Sequence, residues 1–458
     1  MRPSTLNLSI PDLRASVEGE VIAPGDPEYD EARRVFYGFD HRPAAVVRVA
    51  NDEDVARVVT TARETGRELA VRSGGHSNAG HGTSDGGLVL DLSRMQALDV
   101  DVDGRTAWAE TGLTAGAYTA AVAEHGLATG LGDTASVGLG GITLAGGIGF
   151  LVRKHGLTID QLLAADVVTA DGELVRADDQ SHPDLFWAIR GGGGNFGVAT
   201  RFRYRLVEVG QVYGGILIQP ATPEVVATFL TEAEAAPEEL SLIMNVVTAP
   251  PLPFLPPEVH GKPVVMGLMV YAGAPEDGER AVAPFRAAAT PIADMLRPVR
   301  YPEMLQPAQE GYHPIASSRT MFLDELDGDA PDTIVEHLRT GTASLRATQL
   351  RVLGGAMARV PADATAFANR TRRFMVSVTA LYERPEDEAV HGPWVDELAN
   401  RLRRGDVGAY VGFLGDEGEA RIREAYPATT LDRLAEIKRR YDPENLFRLN
   451  QNIPPAGL

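Results

Sequence analysis

The first third of the chain alternates between apolar stretches of strand length and stretches with helical spacing. Residues 46–49 predict a short strand, and apolar residues at helical intervals over 55–62 predict a helix that Asn51 can cap. Residues 69–71 predict a second strand, which runs directly into the glycine-containing loop 72–77. Strands and helices that alternate in this way predict a mixed α and β architecture.

The chain continues in short elements as far as about residue 207. We predict a strand at 87–92, hairpins at 97–110 and 163–176, helices at 114–125 and 183–190, and a strand at 198–207. Residues 130–149 differ from their surroundings, because they are dense in glycine and almost free of charge. The apolar residues between these glycines indicate that the run is buried rather than a flexible loop.

The pattern changes after about residue 210, where the predicted strands become longer and alternate between inward and outward positions. They centre on residues 216, 242, 266, 350, 376 and 411, with helices near 223–235, 275–288, 332–340 and 391–403. This succession predicts an antiparallel sheet with helices on one face, an α+β domain. The tail returns to helix over 431–441 and then becomes irregular.

Length and charge narrow the class of protein. The 458 residues favour two domains, and a net charge of −20 without a long basic run argues against nucleic-acid binding. No stretch reaches the roughly 18 apolar residues of a membrane span. The N-terminus also lacks an apolar signal-peptide core, so we expect a cytoplasmic protein.

The sequence contains no cysteine and no cluster of metal-ligand spacing. Thiolate nucleophiles and Cys-ligated metals are therefore excluded. His81, His125, His155 and His182 lack the spacing of metal ligands, so we expect no metal site and interpret each as structural or exposed.

The loop 72–77 is the first of three glycine-rich loops. Because it follows a strand, its amides could form a nest around a phosphate, with charge from Arg72 and hydroxyl donors from Ser73 and Ser77. A simple tight turn is the alternative. The second loop is the run 130–149, in which so many glycines are typical of a backbone pressed against a large flat group.

The third loop matches the pattern G-x-G-x-x-G at Gly192, Gly194 and Gly197. A Rossmann fingerprint leaves a strand and opens a helix. Here the predicted helix 183–190 precedes the loop and the predicted strand 198–207 follows it. We therefore reject the Rossmann interpretation.

Four segments, taken together, resemble a known family. They are RSGGHS at 72–77, SVGLGG at 136–141, DLFWAIRGGGGNFGV at 184–198 and YDPENLFRLNQN at 441–452. The sequence resembles the berberine bridge enzyme-like branch of the vanillyl-alcohol-oxidase/p-cresol-methylhydroxylase flavoproteins, in the same order over nearly the whole chain. The resemblance implies an FAD-binding domain formed by residues 1–208 and 415–458, with an antiparallel-sheet substrate domain, residues 209–414, inserted between them.

The resemblance also implies a covalent flavin. The histidine that bonds to the 8α-methyl carbon of FAD in this branch corresponds to His76. Many members form a second bond from a cysteine, but Thr134 occupies that place here, so a single linkage is expected. Val137 stands at the family position that controls oxygen access, where valine is the permissive type that favours an oxidase; simple packing against the flavin is the alternative.

Further flavin contacts are implied by the same resemblance. They are Arg72, Ser73, Gly74, Gly75, Ser77 and Gly82 around the first loop, Thr134, Ser136, Val137, Gly140, Gly141, Gly146 and Gly149 along the pyrophosphate and ring, Val168 and Gly197 by the adenosine half, and Asn450, Gln451 and Asn452 over the isoalloxazine.

Candidate catalytic residues lie on the predicted floor of the substrate pocket. Gln349 and Arg351 share one face of a strand with Leu353, where they could orient a carboxylate or stabilise an alkoxide. Solvent exposure, or pairing of Arg351 with an acid at the domain interface, is the alternative. Tyr410 could act as a phenolate base if Arg351 lowered its pKa, although a core tyrosine is the competing interpretation. The loop 301–320 could form a pocket wall.

Three functions remain open. The leading one is an oxidase that transfers hydride from an alcohol, sugar, amine or natural product to FAD and then passes the electrons to oxygen, giving hydrogen peroxide. A flavin dehydrogenase with another acceptor, or a flavoprotein that binds a metabolite without turnover, are the alternatives. The oligomeric state has no signature in the sequence.

Overall fold

A computed structural model describes residues 7–307, 311–326, 328–405 and 407–457. Its first elements are α1 (Ile10–Ser16), β1 (Glu20–Ile22), α2 (Tyr29–Ala32), β2 (Ala45–Arg48), α3 (Asp52–Thr65), β3 (Leu69–Arg72) and β4 (Leu88–Asp91). The strands form a sheet in the order β1-β2-β4-β3, in which β2, β4 and β3 run parallel. The polypeptide leaves β3 at Arg72 and enters the first glycine loop.

Helix α3 shows why the local sequence pattern was sufficient to predict a helix in this part of the chain. The side chain of Asn51 accepts a hydrogen bond from the amide of Asp54, which satisfies an unpaired donor in the first turn. Gly66 ends the helix in the left-handed region with φ of 63°. The apolar stripe between these ends is buried against the sheet, as predicted.

A second, antiparallel sheet follows. Its region contains β5 (Leu98–Asp101), β6 (Thr106–Glu110), α4 (Ala115–Ala123), β7 (Leu127–Ala128), α5 (Leu139–Ala145), α6 (Val152–His155), β8 (Leu162–Val168), β9 (Leu174–Ala177), α7 (Pro183–Ile189), β10 (Val198–Arg205) and β11 (Val207–Glu208). The five main strands lie in the order β5-β6-β10-β8-β9, and β7 pairs with β11. Helix α7 precedes the third glycine loop and β10 follows it, which confirms the order that excluded a Rossmann fingerprint.

The third and largest sheet is built from the middle of the chain. Its elements are β12 (Gln211–Pro220), α8 (Pro223–Ala235), β13 (Leu240–Thr248), β14 (Pro263–Tyr271), α9 (Pro275–Ala287), β15 (Ala293–Asp294), β16 (Arg297–Arg300), β17 (Ile315–Leu323), α10 (Ala330–Thr340), β18 (Leu345–Val352), α11 (Ala356–Arg359), β19 (Phe374–Tyr382) and α12 (Glu388–Leu402). The strands run in the order β15-β12-β14-β13-β18-β19-β17, with β16 beside β12, and every pairing is antiparallel. This confirms the α+β prediction.

The two faces of this sheet have different partners. One face packs with α8, α9, α10 and α12 into a single apolar cluster that includes Val246, Leu350 and Val378. Because side chains alternate along a strand, Asn245 and Gln349, which are paired in register, lie on the other face. That face is turned toward the glycine loops of the first two hundred residues.

The strand predicted around Val411 is wrong. Residues 411–413 form a turn, closed by a hydrogen bond from the Phe413 amide to the Tyr410 carbonyl at 2.9 Å. The sheet instead contains β17, which lies largely within the segment 301–320 that was interpreted as a loop. Ser317 and Arg319 interrupt the apolar pattern that would predict a strand here. Their polar side chains are accommodated because Ser317 bonds to Tyr382 of β19 and Arg319 pairs with Asp396 of α12, both distant in sequence.

The chain ends with α13 (Glu419–Ala425), α14 (Ala428–Tyr441) and an irregular tail that packs back on the first two sheets through Phe447 and Ile453. The first two sheets are formed by residues 20–208 and the third by residues 211–382; the exact domain boundaries at 208/209 and 414/415 stay predictions.

Within the described ranges, no helix is both long and apolar enough to cross a membrane. The same ranges contain no group of three or more His, Cys, Asp or Glu side chains that could hold a metal ion. The cytoplasmic location stays a prediction.

Candidate functional site

A cavity of about 660 Å³ lies between the glycine loops and the face of the large sheet that is opposite α8, α9, α10 and α12. Its walls are formed by the loop after β3, the run 132–148, the loop before β10, parts of β18 and β19, the turn 410–414 and the tail 447–451. Cavities of this size hold cofactors and drug-sized ligands. All four segments that carry the family resemblance contribute to it.

The first loop lines the cavity mainly with its backbone, while the guanidinium of Arg72 points into the protein interior. Arg72 is buried and donates to the Asp91 carboxylate at 2.8 Å and to the carbonyls of Ala32 and Arg34. The predicted role of Arg72 as a charge for a phosphate is therefore not supported, because its guanidinium is already neutralised. Ser73, Gly74, Gly75, Ser77 and Gly82 all line the cavity.

His76 occupies the end of this loop as a neutral base. Its Nε2 lies 3.0 Å from the Ser136 hydroxyl, and its ring stacks on Phe36 with centroids 4.2 Å apart. Burial lowers the pKa of His76 to about 4, and a hydrogen bond to the backbone of Ser136 offsets that shift only in part. The imidazole is thus uncharged at neutral pH and held in one orientation.

The glycine run separates into cavity-facing and packing positions. Thr134, Val137, Gly140 and Gly141 line the cavity, and a Cβ on Gly141 would meet no atom within 4 Å. Ser136 is not part of the cavity wall, and its hydroxyl lies 3.0 Å from His76 Nε2.

Two other glycines of the run were predicted to contact flavin but do not line the cavity. A Cβ on Gly146 would collide with the Phe367 ring at 2.8 Å, and one on Gly149 with the Leu131 carbonyl oxygen at 1.5 Å. Their small size serves chain-to-chain packing instead.

The two residues predicted to lie by the adenosine half occupy different positions. Gly197 lines the cavity, whereas Val168 is fully buried in β8 directly behind it. A Cβ on Gly197 would lie 2.7 Å from the Val168 carbonyl oxygen. Val168 therefore packs directly against the loop, and its contact with the adenosine half stays a prediction.

The tail closes part of the cavity. Asn450 and Gln451 line it, and Gln451 Nε2 donates to the carbonyls of Leu414 and Gly415, both at 3.1 Å. Asn452 does not line the cavity. The Oδ1 atoms of Asn450 and Asn452 are buried without a hydrogen-bond partner.

These features fit FAD, the cofactor that the resemblance implies. Gly141 and Gly194 leave open space where a side chain would otherwise project, so a flat ring or a pyrophosphate can approach the backbone. Backbone amides supply donors for phosphates without a bound cation. The buried Oδ1 of Asn450 is an acceptor that still lacks a donor.

The structure brings the three catalytic candidates together but changes their roles. Gln349 and Tyr410 line the cavity, whereas Arg351 lies behind the wall. Arg351 is buried and donates to Asp133 Oδ2 at 2.7 Å, to the Ile148 carbonyl and to Gln349 Oε1 at 3.0 Å. The alternative in which Arg351 pairs with an acid is the one that the structure supports.

The phenolate-base role for Tyr410 is not supported. Burial raises the pKa of Tyr410 to about 12, and neither the amide of Gly147, 3.1 Å from the hydroxyl, nor the charge of Arg351 reverses that shift. A phenol with this pKa remains protonated at neutral pH. The competing interpretation, a core tyrosine with a satisfied hydroxyl, fits these contacts.

Substituting Tyr410 with phenylalanine should therefore lower kcat less than about tenfold, because only one hydrogen bond is lost. The pH profile of kcat should keep its shape. A general base would instead contribute about 10²- to 10⁴-fold. Steady-state kinetics across pH would decide, and loss in the variant of an acidic limb, the fall in kcat as a base becomes protonated, would restore the base role.

Several site residues gave no recognisable signal in the sequence. Asp133, which accepts a hydrogen bond from Arg351, belongs to no recognisable motif in the sequence. From the segment 301–320, Gln306, Tyr312 and Pro314 line the cavity, whereas Tyr301 is buried and His313 lies 2.8 Å from the Val35 carbonyl oxygen. Residues 308–310 of that segment lie outside the described residues.

Comparison with known proteins extends over nearly the whole chain. Residues 43–178 match the FAD binding domain family, and residues 409–454 match the family described as berberine and berberine like. The chain is 31% identical to the (R)-6-hydroxynicotine oxidase of Paenarthrobacter nicotinovorans, over 96% of this chain and 98% of that protein. It is 28% identical to the xylooligosaccharide oxidase of Thermothelomyces thermophilus, over 91% and 88%.

Two solved structures are similar to this chain over nearly its whole length. The crystal structure of 6-hydroxy-D-nicotine oxidase from Arthrobacter nicotinovorans superposes with a TM-score of 0.86 and 26% identity, covering 96% of this chain and 99% of that chain. The Physcomitrella patens BBE-like 1 structure gives a TM-score of 0.87 at 22% identity, covering 98% and 100%.

Proposed function

Since the chain belongs to the berberine bridge enzyme-like family of FAD-linked oxidoreductases, we propose that it is an oxidase with one FAD bonded to His76 and oxygen as its electron acceptor. The observation that carries the proposal is the neutral imidazole of His76 in the wall of a glycine-lined cavity. When bound, FAD supplies the acceptor for a hydride. Overall, the substrate loses two electrons and two protons, and oxygen gains both to give hydrogen peroxide.

The environment of His76 supports a single bond through Nδ1. Nε2 is engaged by Ser136, so a neutral ring in which Nε2 carries the proton keeps its lone pair on Nδ1. Stacking on Phe36 fixes the direction of that lone pair. Thr134 stands at the place of the second attachment, and its hydroxyl donates to Asp133 at 3.0 Å. An alcohol in that position forms no thioether.

Val137 supports oxygen as the acceptor. Its short branched side chain is part of the cavity wall, next to Gly138. A longer side chain would occupy space through which a small molecule reaches the cofactor.

We expect dithionite-reduced protein to reoxidise rapidly in air and to form hydrogen peroxide. Val137→Ile, which adds one methylene, should slow reoxidation by at least about tenfold, equivalent to about 1.4 kcal/mol in barrier. Stopped-flow absorbance after mixing with oxygenated buffer measures the rate. Val71→Ile adds the same methylene elsewhere in the cavity wall, on β3, and should reoxidise like the wild type.

A protein that stays reduced in air but is reoxidised by a dye would identify the dehydrogenase alternative instead. Normal reoxidation combined with tight ligand binding and no bleaching by any substrate class would indicate the non-catalytic binder.

A further inference from the structure

The part of the cavity built by the large sheet differs from the part built by the glycine loops. We call it the sheet wall; it consists of Leu345 and Gln349 on β18, Thr379 and Leu381 on β19, and we include Tyr312 and Phe413 from the loop and the turn that also line the cavity. Leu345 and Leu381 are paired in register on β18 and β19, so they form one apolar patch. Tyr312, from the loop before β17, and Phe413, from the turn 410–414, line the same cavity, as do the uncharged polar side chains of Gln349 and Thr379.

No unpaired charge lies in the described wall of the cavity. Two lining residues other than histidine carry a formal charge, Arg72 and Asp133, and each is bonded to a buried partner, Asp91 and Arg351 respectively. An ionic substrate would lose its hydration without gaining a counter-charge. The site therefore favours an uncharged substrate.

Gln349 is held in a single orientation. Arg351 Nε can only donate, so the Gln349 atom 3.0 Å away is the carbonyl oxygen Oε1. The Nε2 atom then donates one hydrogen to Asn245 Oδ1 at 3.0 Å. An amide nitrogen carries two hydrogens, and because Gln349 lines the cavity, the second remains for a ligand.

The ion pair behind Gln349 strengthens this donor. Asp133, Arg351 and Gln349 form a chain of hydrogen bonds at 2.7 and 3.0 Å. A cationic donor on the amide oxygen draws electron density from the nitrogen, and such chains polarise cooperatively in a low-dielectric interior. The remaining N–H is therefore suited to an electron-rich oxygen or nitrogen acceptor.

We infer that the substrate is an uncharged molecule with an apolar, ring-sized frame and one strong hydrogen-bond acceptor, and that Gln349 selects and orients it through Nε2–H. This inference rests on the proposed function, because it assigns the sheet wall to the molecule that meets bound FAD. Arg351 is a positioning residue that acts through Gln349. An oligosaccharide fits poorly, since most of its hydroxyls would face Leu345, Leu381 and the rings without partners.

Ligand titration of the FAD-loaded protein tests the substrate class. Binding is followed by the flavin absorbance, with acetophenone as the uncharged ring with an acceptor, ethylbenzene as the ring without one, benzoate as the anion, benzylammonium as the cation and xylobiose as the polyol. Acetophenone should bind at least about threefold more tightly than ethylbenzene and at least about tenfold more tightly than either ion.

Two substitutions test the role of Gln349. Gln349→Leu should weaken acetophenone about three- to tenfold and leave ethylbenzene unchanged, because one hydrogen bond is lost. Gln349→Glu keeps the shape and the bond to Arg351 but replaces the donor with a carboxylate. It should weaken acetophenone and strengthen benzylammonium, a reversal that a purely structural role does not produce. Gln211→Leu, at an exposed position of β12, serves as the control.

Each remaining outcome overturns the inference. These are preference for benzoate, benzylammonium or xylobiose, no saturable acetophenone binding up to its solubility limit, or equal acetophenone affinity in wild type and Gln349→Leu. If the flavin is covalently held and reoxidises in air while any of these is observed, the oxidase proposal stands and only the substrate class fails. A protein without attached or oxygen-reactive flavin defeats the oxidase proposal itself.

Discussion

Replacing His76 with alanine should abolish covalent attachment of FAD completely. The variant loses the imidazole whose burial keeps it neutral and whose Nε2 is held by Ser136. Acid precipitation should leave the yellow colour in the supernatant, and the intact mass should lack one FAD. Turnover should fall at least about tenfold, because the electron-withdrawing imidazole at the 8α carbon no longer raises the reduction potential of the flavin.

A second histidine of the same cavity provides the matched control. His81 also lines the cavity, and burial also lowers its pKa, yet it belongs to none of the four family segments. His81→Asn should keep its colour in the acid pellet and its full added mass. If His76→Ala retained covalent flavin, the site of attachment would have to be another residue. Loss of attachment in both variants would indicate that the cavity itself had been disturbed.

Local elements could be predicted from the sequence because neighbouring residues determine them. The hydrogen bond that caps α3 joins Asn51 and Asp54, and the hairpin between β8 and β9 turns at Asp171 and Gly172, where Gly172 has φ of 87°. Such signals lie within a few residues and need no knowledge of the rest of the fold. The position of His76 could be found for a different reason, since its motif resembles that of a known family.

The side-chain roles at the site could not be predicted, because they depend on contacts between distant segments. Arg351 lies 218 positions from Asp133, which binds it, and 203 positions from Ile148, whose carbonyl oxygen also accepts from it. The pKa of Tyr410 is raised by burial among distant residues that include Ala145, Phe322 and Phe367. Gly146 and Gly149 carry the signature of cofactor contact but are required by Phe367 and Leu131, which no local pattern reveals.

A hydrogen-bonded lysine that connects the tail to the third glycine loop also has no signature in the sequence. Lys438 is fully buried in α14. Its Nζ donates to Asp442 Oδ2 at 2.5 Å, to the Phe447 carbonyl at 2.9 Å and to the Asn195 carbonyl at 2.7 Å. Asn195 in turn accepts from the amide of Ile453 at 2.9 Å. Two walls of the cavity, the tail and the loop before β10, are therefore held by one ammonium group.

Lys438→Met should be among the most destabilising single substitutions in this protein. Methionine preserves the length of the side chain but leaves the Asp442 carboxylate buried without its counter-charge, which costs about 3–5 kcal/mol. We expect a lower thermal midpoint together with reduced incorporation of FAD, since the tail and the loop before β10 both line the cavity. Differential scanning fluorimetry and the flavin-to-protein absorbance ratio measure the two effects.

Arg439→Met on the same helix is the appropriate comparison. Arg439 forms an exposed ion pair with Glu436, with 61% and 59% of the two side chains accessible, and such pairs contribute about 1 kcal/mol or less. The comparison variant should therefore keep the midpoint and flavin content of the wild type. A Lys438→Met protein that matched Arg439→Met in both measurements would show that the buried ammonium is dispensable. A drop in flavin content at an unchanged midpoint would instead mean that it orders the cavity locally, without contributing to global stability.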